Sequence, residues 1–346
     1  MSTAPLASTT PYWGRAYTLT VYSTPDGSGS PGVTISSGTW EPEALRITFD
    51  VHQTALPSPW WFADISVYNY DDNAMANALT SAQWVTLSAG YQSIGNQQVI
   101  WSGAVMQVLL TREDVVDIKL TFHCFATDPR ELRRINFNQA QNTTQATVVA
   151  QMITALNGQS AVPTTMIAPL PPALSATKYK RGKVVFGSVN KYFEQLADAH
   201  NMTWFKAPKG YAIGPIDSGT ATPAYTYSPP LPANWAGAAP SVTTSYTLIG
   251  TPRQTDCGVE FSVLLDPRLK VQMPPLLIAL NNVVIDQLVR QFPQGPYMPL
   301  AVDGSYVIAE VHHRGDTRGN LWQTDVRGFT RTWTQNALRG IFLTGV

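Results

Sequence analysis

The chain reads as mainly β, with two antiparallel β regions on either side of a small α/β insert. Three observations predict this. Apolar residues recur at every second position, the strand period, from Trp13 to Phe125 and again from Val259 onward. The two clear helical patterns fall in the middle of the chain, between Thr144 and Ala197. The composition also suits strands and subunit interfaces better than free helices: only 13% of residues are charged, about half the usual share, and there are 10 Trp and 14 Tyr.

Taken in order, Tyr17, Leu19 and Val21 alternate with polar residues, and a turn follows at Thr24-Pro25-Asp26-Gly27-Ser28-Gly29. Val33 and Ile35 alternate next, and Leu45, Ile47, Phe49 and Val51 put apolar side chains on one face. Ile65 and Val67 begin a strand that stops at Asn69-Tyr70-Asp71-Asp72-Asn73, and Ala74 to Leu79 has room for one or two helical turns. Val85, Leu87 and Ala89 lead into Gly90-Tyr91. Val99 to Val108 and Ile118 to Cys124 flank a hairpin turn at Arg112-Glu113-Asp114. About seven short strands at this spacing make a closed barrel or a sandwich.

The pattern changes after Asp128-Pro129. Thr144 caps a helix whose Val148, Met152, Ile153 and Leu156 share a face, and Asn157-Gly158 stops it. Proline-rich Val162 to Ala176 reads as a linker or extended arm and not a packed element. Lys178 to Lys183 is the one dense basic run. It leads into a strand at Val184-Val185-Phe186, then a helix capped by Ser188 with Tyr192, Phe193, Leu196 and Ala197 as its apolar stripe. Thr203 to Lys206, a turn at Lys209-Gly210, and Tyr211 to Ile213 form a short hairpin.

Ser218 to Pro240 reads as a surface loop or arm. Strands then return: Val259, Phe261, Val263 and Leu265 alternate, Leu276 to Leu280 is a short buried strand, and Val283 to Phe292 suits either strand or helix. The last hairpin spans Asp303 to Trp333. Its first strand runs from Tyr306 to about His313, its turn from Arg314 to Asn320, and its second strand starts at Leu321. Gly315 and the other turn glycine are expected to supply positive φ there.

Lys+Arg and Asp+Glu both number 23, so the chain is neither a strongly basic nucleic-acid binder nor an acidic disordered tail. Cys124 and Cys257 read as buried free thiols. The N-terminus has no basic region followed by an apolar run, so no signal peptide is expected. No segment approaches the roughly 18 apolar residues of a membrane span, so no membrane anchor is expected either.

Each motif with a chemical reading also has a plainer one. Gly27-Ser-Gly-Ser-Pro-Gly32 matches the dinucleotide fingerprint in letters, but strand-like Val33-Thr34-Ile35 follows where the phosphate site needs a helix, so it reads as a hairpin loop. His312, His313 and Asp316 suggest a metal or a general base. Adjacent strand residues point to opposite faces, however, and His52, His123 and His200 lie on unrelated elements.

Asp64, Asp71, Asp72 and Asp114 are the candidates for a glycosidase pair, which needs two carboxyls about 5–10 Å apart across a cleft. Arg314-Gly315-Asp316 reads as turn chemistry, and the glycosylation patterns at Asn142 and Asn201 carry equally little weight. Lys178 to Lys183 reads as a solvated approach to a strand, with contact to passing DNA or an acidic neighbour as the functional reading. No catalytic, cofactor-binding or metal-binding residue is assigned.

Several stretches together resemble the baseplate hub proteins of bacteriophage tails. They are Arg15 to Val21, Leu45 to Phe49 followed by Ala63 to Asn69, and Val85 to Tyr91 followed by Ile100 to Val105. Phe193 to Ala197 with Trp204 and Tyr211 to Ile213 also belong here, as does Gly304 to Ile308 with His312, Gly315, Asp316, Trp322 and Thr324. The resemblance implies two tube-like antiparallel β-barrel domains, at 1–128 and 218–335. Between them lies an α/β module with a Pro-rich linker at 129–217, and 336–346 forms a tail.

It further implies a non-enzymatic virion protein made in the host cytoplasm and needing no cofactor. Such a protein is a homotrimer that joins a hexameric tail tube to a trimeric central spike. It touches other baseplate proteins and lines a channel through which genomic DNA passes without sequence-specific binding. Trp322 and Tyr306 are then expected to be packing anchors that close the second barrel. The competing expectation is a β-rich, tail-associated carbohydrate-binding or glycan-degrading protein using Asp64, Asp72 and Asp114.

Overall fold

The computed structural model describes residues 14–37, 44–55, 61–70, 73–126, 134–158, 163–215, 222–229, 244–245, 247–255, 257–287, 300 and 304–331. The first β region consists of β1 (Arg15–Tyr22), β2 (Val33–Ser36), β3 (Ile47–Thr54), β4 (Phe62–Tyr68), helix α1 (Asn73–Thr80), β5 (Trp84–Tyr91), β6 (Gln98–Arg112) and β7 (Ile118–Phe125). The middle contains β8 (Arg134–Gln139), α2 (Gln145–Asn157), β9 (Thr165–Met166), α3 (Pro172–Ala176), β10 (Lys183–Ser188), α4 (Val189–Ala199), β11 (Met202–Ala207) and β12 (Gly210–Pro215). The second β region consists of β13 (Tyr225–Tyr227), β14 (Thr244–Ser245), β15 (Leu248–Gln254), β16 (Gly258–Leu264), β17 (Leu277–Leu280), β18 (Ser305–Asp316) and β19 (Trp322–Thr330). The fold is therefore mainly β with an α/β insert.

Alternation becomes burial in these strands. In β3, Ile47, Phe49, Val51 and Gln53 are buried while the residues between them are half-exposed. Burying one face removes apolar area from water at about 25 cal/mol per Å² and also fixes the register, because a one-residue slip would turn the whole apolar set outward. Gly27 and Gly29 adopt positive φ in the loop between β1 and β2, so the sequence Gly27 to Gly32 is a hairpin loop and not a phosphate cradle.

The two β regions are not separate sheets. Their described strands form one sheet in the order β14-β13-β17-β18-β3-β4-β7-β6-β5-β1-β2, with β19, β16 and β15 branching from β18, while β8 and β10, and β9, β11 and β12, form two small sheets of their own. Strand β18 is the joint. Along one edge, Ser305 to Val307 pair with β17 and residues 310–316 pair with β3 of the first region. Along the other edge β18 pairs with β19. One hydrophobic cluster accordingly holds Leu19, Phe122 and Val51 together with Phe261, Ile308 and Val326. Among the described residues the ladder ends at β2 and β14, with no pairing that closes it into a ring.

A second cluster draws only on residues between Ile135 and Ile213. Thr144 caps α2 by accepting from the Thr147 amide, and Gly158 follows its last residue. Phe193 stacks on Tyr211 with centroids 4.7 Å apart. The β11–β12 hairpin serves both cores by alternation. Trp204, Tyr211 and Ile213 enter the second cluster, while Phe205, Ala207 and Ala212 enter the first, where Phe205 stacks on Trp61 at 5.5 Å.

Several expectations are corrected. Residues 163–176 are packed, not an open arm. Leu174 is fully buried, Thr165 and Met166 pair in parallel with β12, and Asn157 holds the Thr164 main chain from both sides. Proline does not prevent this, because Pro172 stands in the first turn of α3, where its missing N–H is not needed. Only 222–229 of Ser218 to Pro240 is described, and part of it is strand β13, with Tyr227 buried. Ser188 stands at the N-cap of α4, but its hydroxyl makes no capping bond.

In the last hairpin β18 continues to Asp316, so Gly315 is a strand residue and not a turn residue. A Cβ there would lie 2.3 Å from Phe49 Cζ and 2.7 Å from Trp322 Cε3, so glycine is required for space and not for φ. Trp322 packs across the joint. It meets Phe49 edge-on at 5.1 Å, and its indole N–H donates to the Gly90 carbonyl. It anchors the two β regions to each other.

Candidate functional site

The continuous sheet has an apolar face and a polar face, and the polar face carries His52, His123, His312, Asp64 and Asp316 from among the residues suspected from sequence. Period-two geometry sorts them. His313 faces the core and is fully buried, with Nδ1 2.9 Å from Thr324 Oγ1. His312 faces the polar side. No ion could use both from one strand. Among the described residues no group of three or more His, Cys, Asp or Glu is placed to hold a metal.

On the polar face, charges pair across strands. His312 Nε2 lies 2.5 Å from Asp50 Oδ1 on β3, and His52 meets the Glu310 carboxylate on β18. The two imidazoles are 5.2 Å apart and directly opposite in register. On the next strands His123 Nδ1 lies 2.7 Å from Asp64 Oδ1. Toward β19 and β16, Asp325 takes Arg314, Ser262 and Gln323, and Arg327 lies 3.5 Å from Glu260. At the far end of β18, Asp316 forms a two-pronged bond with Arg46, whose guanidinium stacks over Tyr68.

The hydrogen bond from His312 holds the Asp50 carboxyl below its ordinary range, and that from His52 does the same for Glu310. For Asp316, burial pushes upward, but the Arg46 guanidinium and the Arg318 and Gly319 amides outweigh it. The face is therefore a lattice of carboxylates, each held by a neighbouring guanidinium or imidazole.

A concavity of about 450 Å³ opens on this face, lined by Glu260, Glu310, His312, Arg314, Asp325 and Arg327, among others. It does not contain the suspected glycosidase carboxylates. Asp64 is engaged with His123, Asp114 bonds the Val115 amide in an exposed turn, and Asp71 and Asp72 lie outside the described residues. Inside the concavity the Glu310 carboxyl is shifted downward, opposite to what a general acid needs. His200 is apart from all of this, bonded at 2.5 Å to Gln145 in the α/β unit. Lys178, Lys180 and Arg181 are exposed beside β10. Cys124 and Cys257 are buried free thiols, and burial pushes the Cys124 thiol well above its ordinary range. No described helix is long and apolar enough to cross a membrane.

The partners Asp50, Glu310, Asp325 and Arg327 did not stand out as chemistry in the sequence. Their signal was the alternation itself: Asp50 and His52, Glu310 and His312 and Arg314, and Asp325 and Arg327 each lie two residues apart on the polar positions of their strands. A second polar cluster is buried beneath the joint. Asp266, 4% exposed, accepts from Tyr227 and forms a two-pronged pair with Arg268. Its amide donates to Thr324 Oγ1.

No protein-family model matches the chain, and no curated protein matches it. Among solved structures it is similar to a tail protein from Neisseria meningitidis, at 10% identity over 92% of this chain and 97% of that one, with a TM-score of 0.49. It is also similar to the 43 kDa tail protein of prophage MuSo2 from Shewanella oneidensis, at 8% identity over 92% and 97%, TM-score 0.46. A third similarity is to an E. coli component of the type VI secretion system, itself structurally similar to the T4 bacteriophage tail proteins gp27 and gp5, at 11% identity over 86% and 76%, TM-score 0.44. These three structures are thus two tail proteins and a secretion-system component likened to tail proteins.

Proposed function

We propose that the chain is a structural hub of a phage-type tail, a homotrimer that joins a hexameric tube to a trimeric spike and lines the channel between them. Residues 1–128 and 218–335 would form its two tube-like units and 129–217 the α/β module, while the expected tail at 336–346 lies outside the described residues. The observation that carries this reading is the polar face of the shared sheet. Its carboxylates are each engaged across β3, β18, β19 and β16 by an imidazole or a guanidinium, as at Asp50–His312, Glu310–His52 and Arg314–Asp325, and Arg314 and Arg327 each face a carboxylate. A polyanion passing such a surface meets no run of uncompensated cations to hold it. With Glu310 held ionised by His52, the face is also poorly suited to acid catalysis. The sequence resemblance supports the same role.

The test is the stoichiometry and position of the chain in assembled particles. Three chains at the tube–spike junction are expected, and any other number overturns the hub. The glycan-degrading alternative is tested with Asp64→Asn and Asp114→Asn. Loss of hydrolysis of host glycans with assembly intact would replace the hub reading by the enzymatic one. Unchanged behaviour, or failed assembly, supports the hub.

A further inference from the structure

Large apolar side chains remain exposed at two places that do not cover one another. The first is the β6–β7 hairpin. Strand β6 pairs with β5 as far as Ala104 and with β7 from Ala104 onward, and its register shifts between Val105 and Gln107. From that point the hairpin runs on without β5. Its end carries Leu110 at 56%, Val115 at 82% and Val116 at 80% exposure. Asp114, which makes no ion pair among the described residues, sits beside these valines; Glu113 is paired with Lys119 at 3.8 Å and Asp117 accepts from Asn69, and with Arg112 the hairpin end carries three acids and two bases. A long, apolar strand edge of this kind normally finds a partner.

The second place is the two-stranded β8–β10 ribbon of the α/β unit. Its inner face buries Ile135 and Val185, while its outer face presents Val184 at 65% and Phe186 at 68% exposure, opposite Asn138 and Asn136. Here the surrounding charge is positive. Exposed Lys180 and Arg181 lead into β10, and exposed Arg134 stands opposite Ser188 at the other end. Among the described residues Lys180, Arg181 and Arg134 make no ion pair.

One chain therefore carries an acid-flanked apolar tip and a base-flanked apolar face, each left open by the fold. We infer that the tip of the β6–β7 hairpin of one copy, through Val115 and Val116, seats on the β8–β10 ribbon of a second copy, through Val184 and Phe186. Asp114 then faces Lys180 and Arg181. The contact is head-to-tail, so it uses one tip and one ribbon per copy and propagates until a ring closes. The inference rests on the proposed hub only in taking the occupant to be another copy of this chain.

Cysteine pairing in the full-length chain tests it. Copies carrying Val116→Cys, mixed with copies carrying Phe186→Cys and exposed to dissolved oxygen, are expected to give a disulfide-linked dimer on a non-reducing gel. Neither variant alone should do so, since Cys124 and Cys257 are buried. A chain carrying both substitutions is expected to give a covalent ladder. A ladder ending at three supports both the contact and the hub, and one ending elsewhere supports the contact while overturning the threefold hub. Absence of the mixed dimer overturns the contact, and native mass then reports separately on the hub. Dimers of Val116→Cys alone would mean tip-to-tip pairing and also overturn it. Asp114→Lys is expected to lower cross-link yield severalfold and Lys180→Glu to restore it. A yield indifferent to both overturns the charge complementarity.

Discussion

His313 should give the fold an acid-sensitive stability that no other change in this region would imitate. It is fully buried on the core side of β18, where Thr324 Oγ1 takes its Nδ1 and Nε2 has no well-formed hydrogen bond. Burial pushes its pKa from 6.5 down to about 4, against the opposing pull of the Asp266 charge and the Leu269 main chain. The folded protein thus holds the ring neutral where the unfolded chain would protonate it. Above pH 6.5 the two states bind the same number of protons, and nothing is gained or lost. Below it the unfolded state takes up a proton that the folded state refuses, and stability falls by about 1.4 kcal/mol per pH unit until the folded pKa is reached. Over the whole window the loss is about 3 kcal/mol.

The measurement is urea unfolding of wild type and His313→Gln at steps from pH 7.5 to 5.0. This range stays above the ordinary values of 3.8 and 4.5 for Asp50, Asp316 and Glu310, whose depressed carboxyls lose their contribution only at lower pH. Wild type should lose about 2 kcal/mol more than the variant between pH 6.5 and 5.0. The comparison uses slopes, so it survives any constant destabilisation by the substitution. Parallel curves would refute the reasoning.

Other substitutions should be as specific. Gly315→Ala drives a methyl into Phe49 and Trp322 at the joint and should cost about 3 kcal/mol, the upper end for overpacking, read as a lowered urea midpoint. Asp266→Asn leaves Arg268 without its carboxylate. The cost should be about 3 kcal/mol, the low end for a broken buried pair, because the Arg268 side chain keeps 30% exposure. Thr144→Ala should cost about 1 kcal/mol through loss of the α2 cap, whereas Ser188→Ala, with no capping bond to lose, should stay within about 0.5 kcal/mol. Equal costs for the two would contradict the cap assignment.

Strand alternation made much of this legible in the sequence. It placed β1, β3, β5 and β16 and separated His312 from His313, because a period of two follows from backbone geometry alone. The cap at Thr144 was legible for the same local reason. What stayed hidden was pairing between distant strands. Gly315 was taken for a turn glycine, since its need for space arises from Phe49, which lies far away in sequence. That Trp322 of β19 also meets Phe49 and Gly90 of the first region was hidden for the same reason. Asp50 and Glu310 looked ordinary until register brought each to the histidine of the other's strand. Residues 163–176 were misread because proline content argues only about backbone freedom, while Leu174 and the Asn157 side chain fix the segment by contact.

The partnership of β3 with β18 has a consequence for how the chain is made. Strand β3 leaves the ribosome long before the strand that covers its edge, which begins at Ser305, and the bonds between them span separations of 258 and 262 residues. Until β18 is made, the growing chain carries an open strand edge bearing Val51 and Phe49 that nothing yet made can cover in the native way. Such non-local closure is slow, and during the delay the edge can pair with another nascent chain. A product truncated before Ser305 inherits that edge permanently, so premature termination yields an aggregating species and not a functional half.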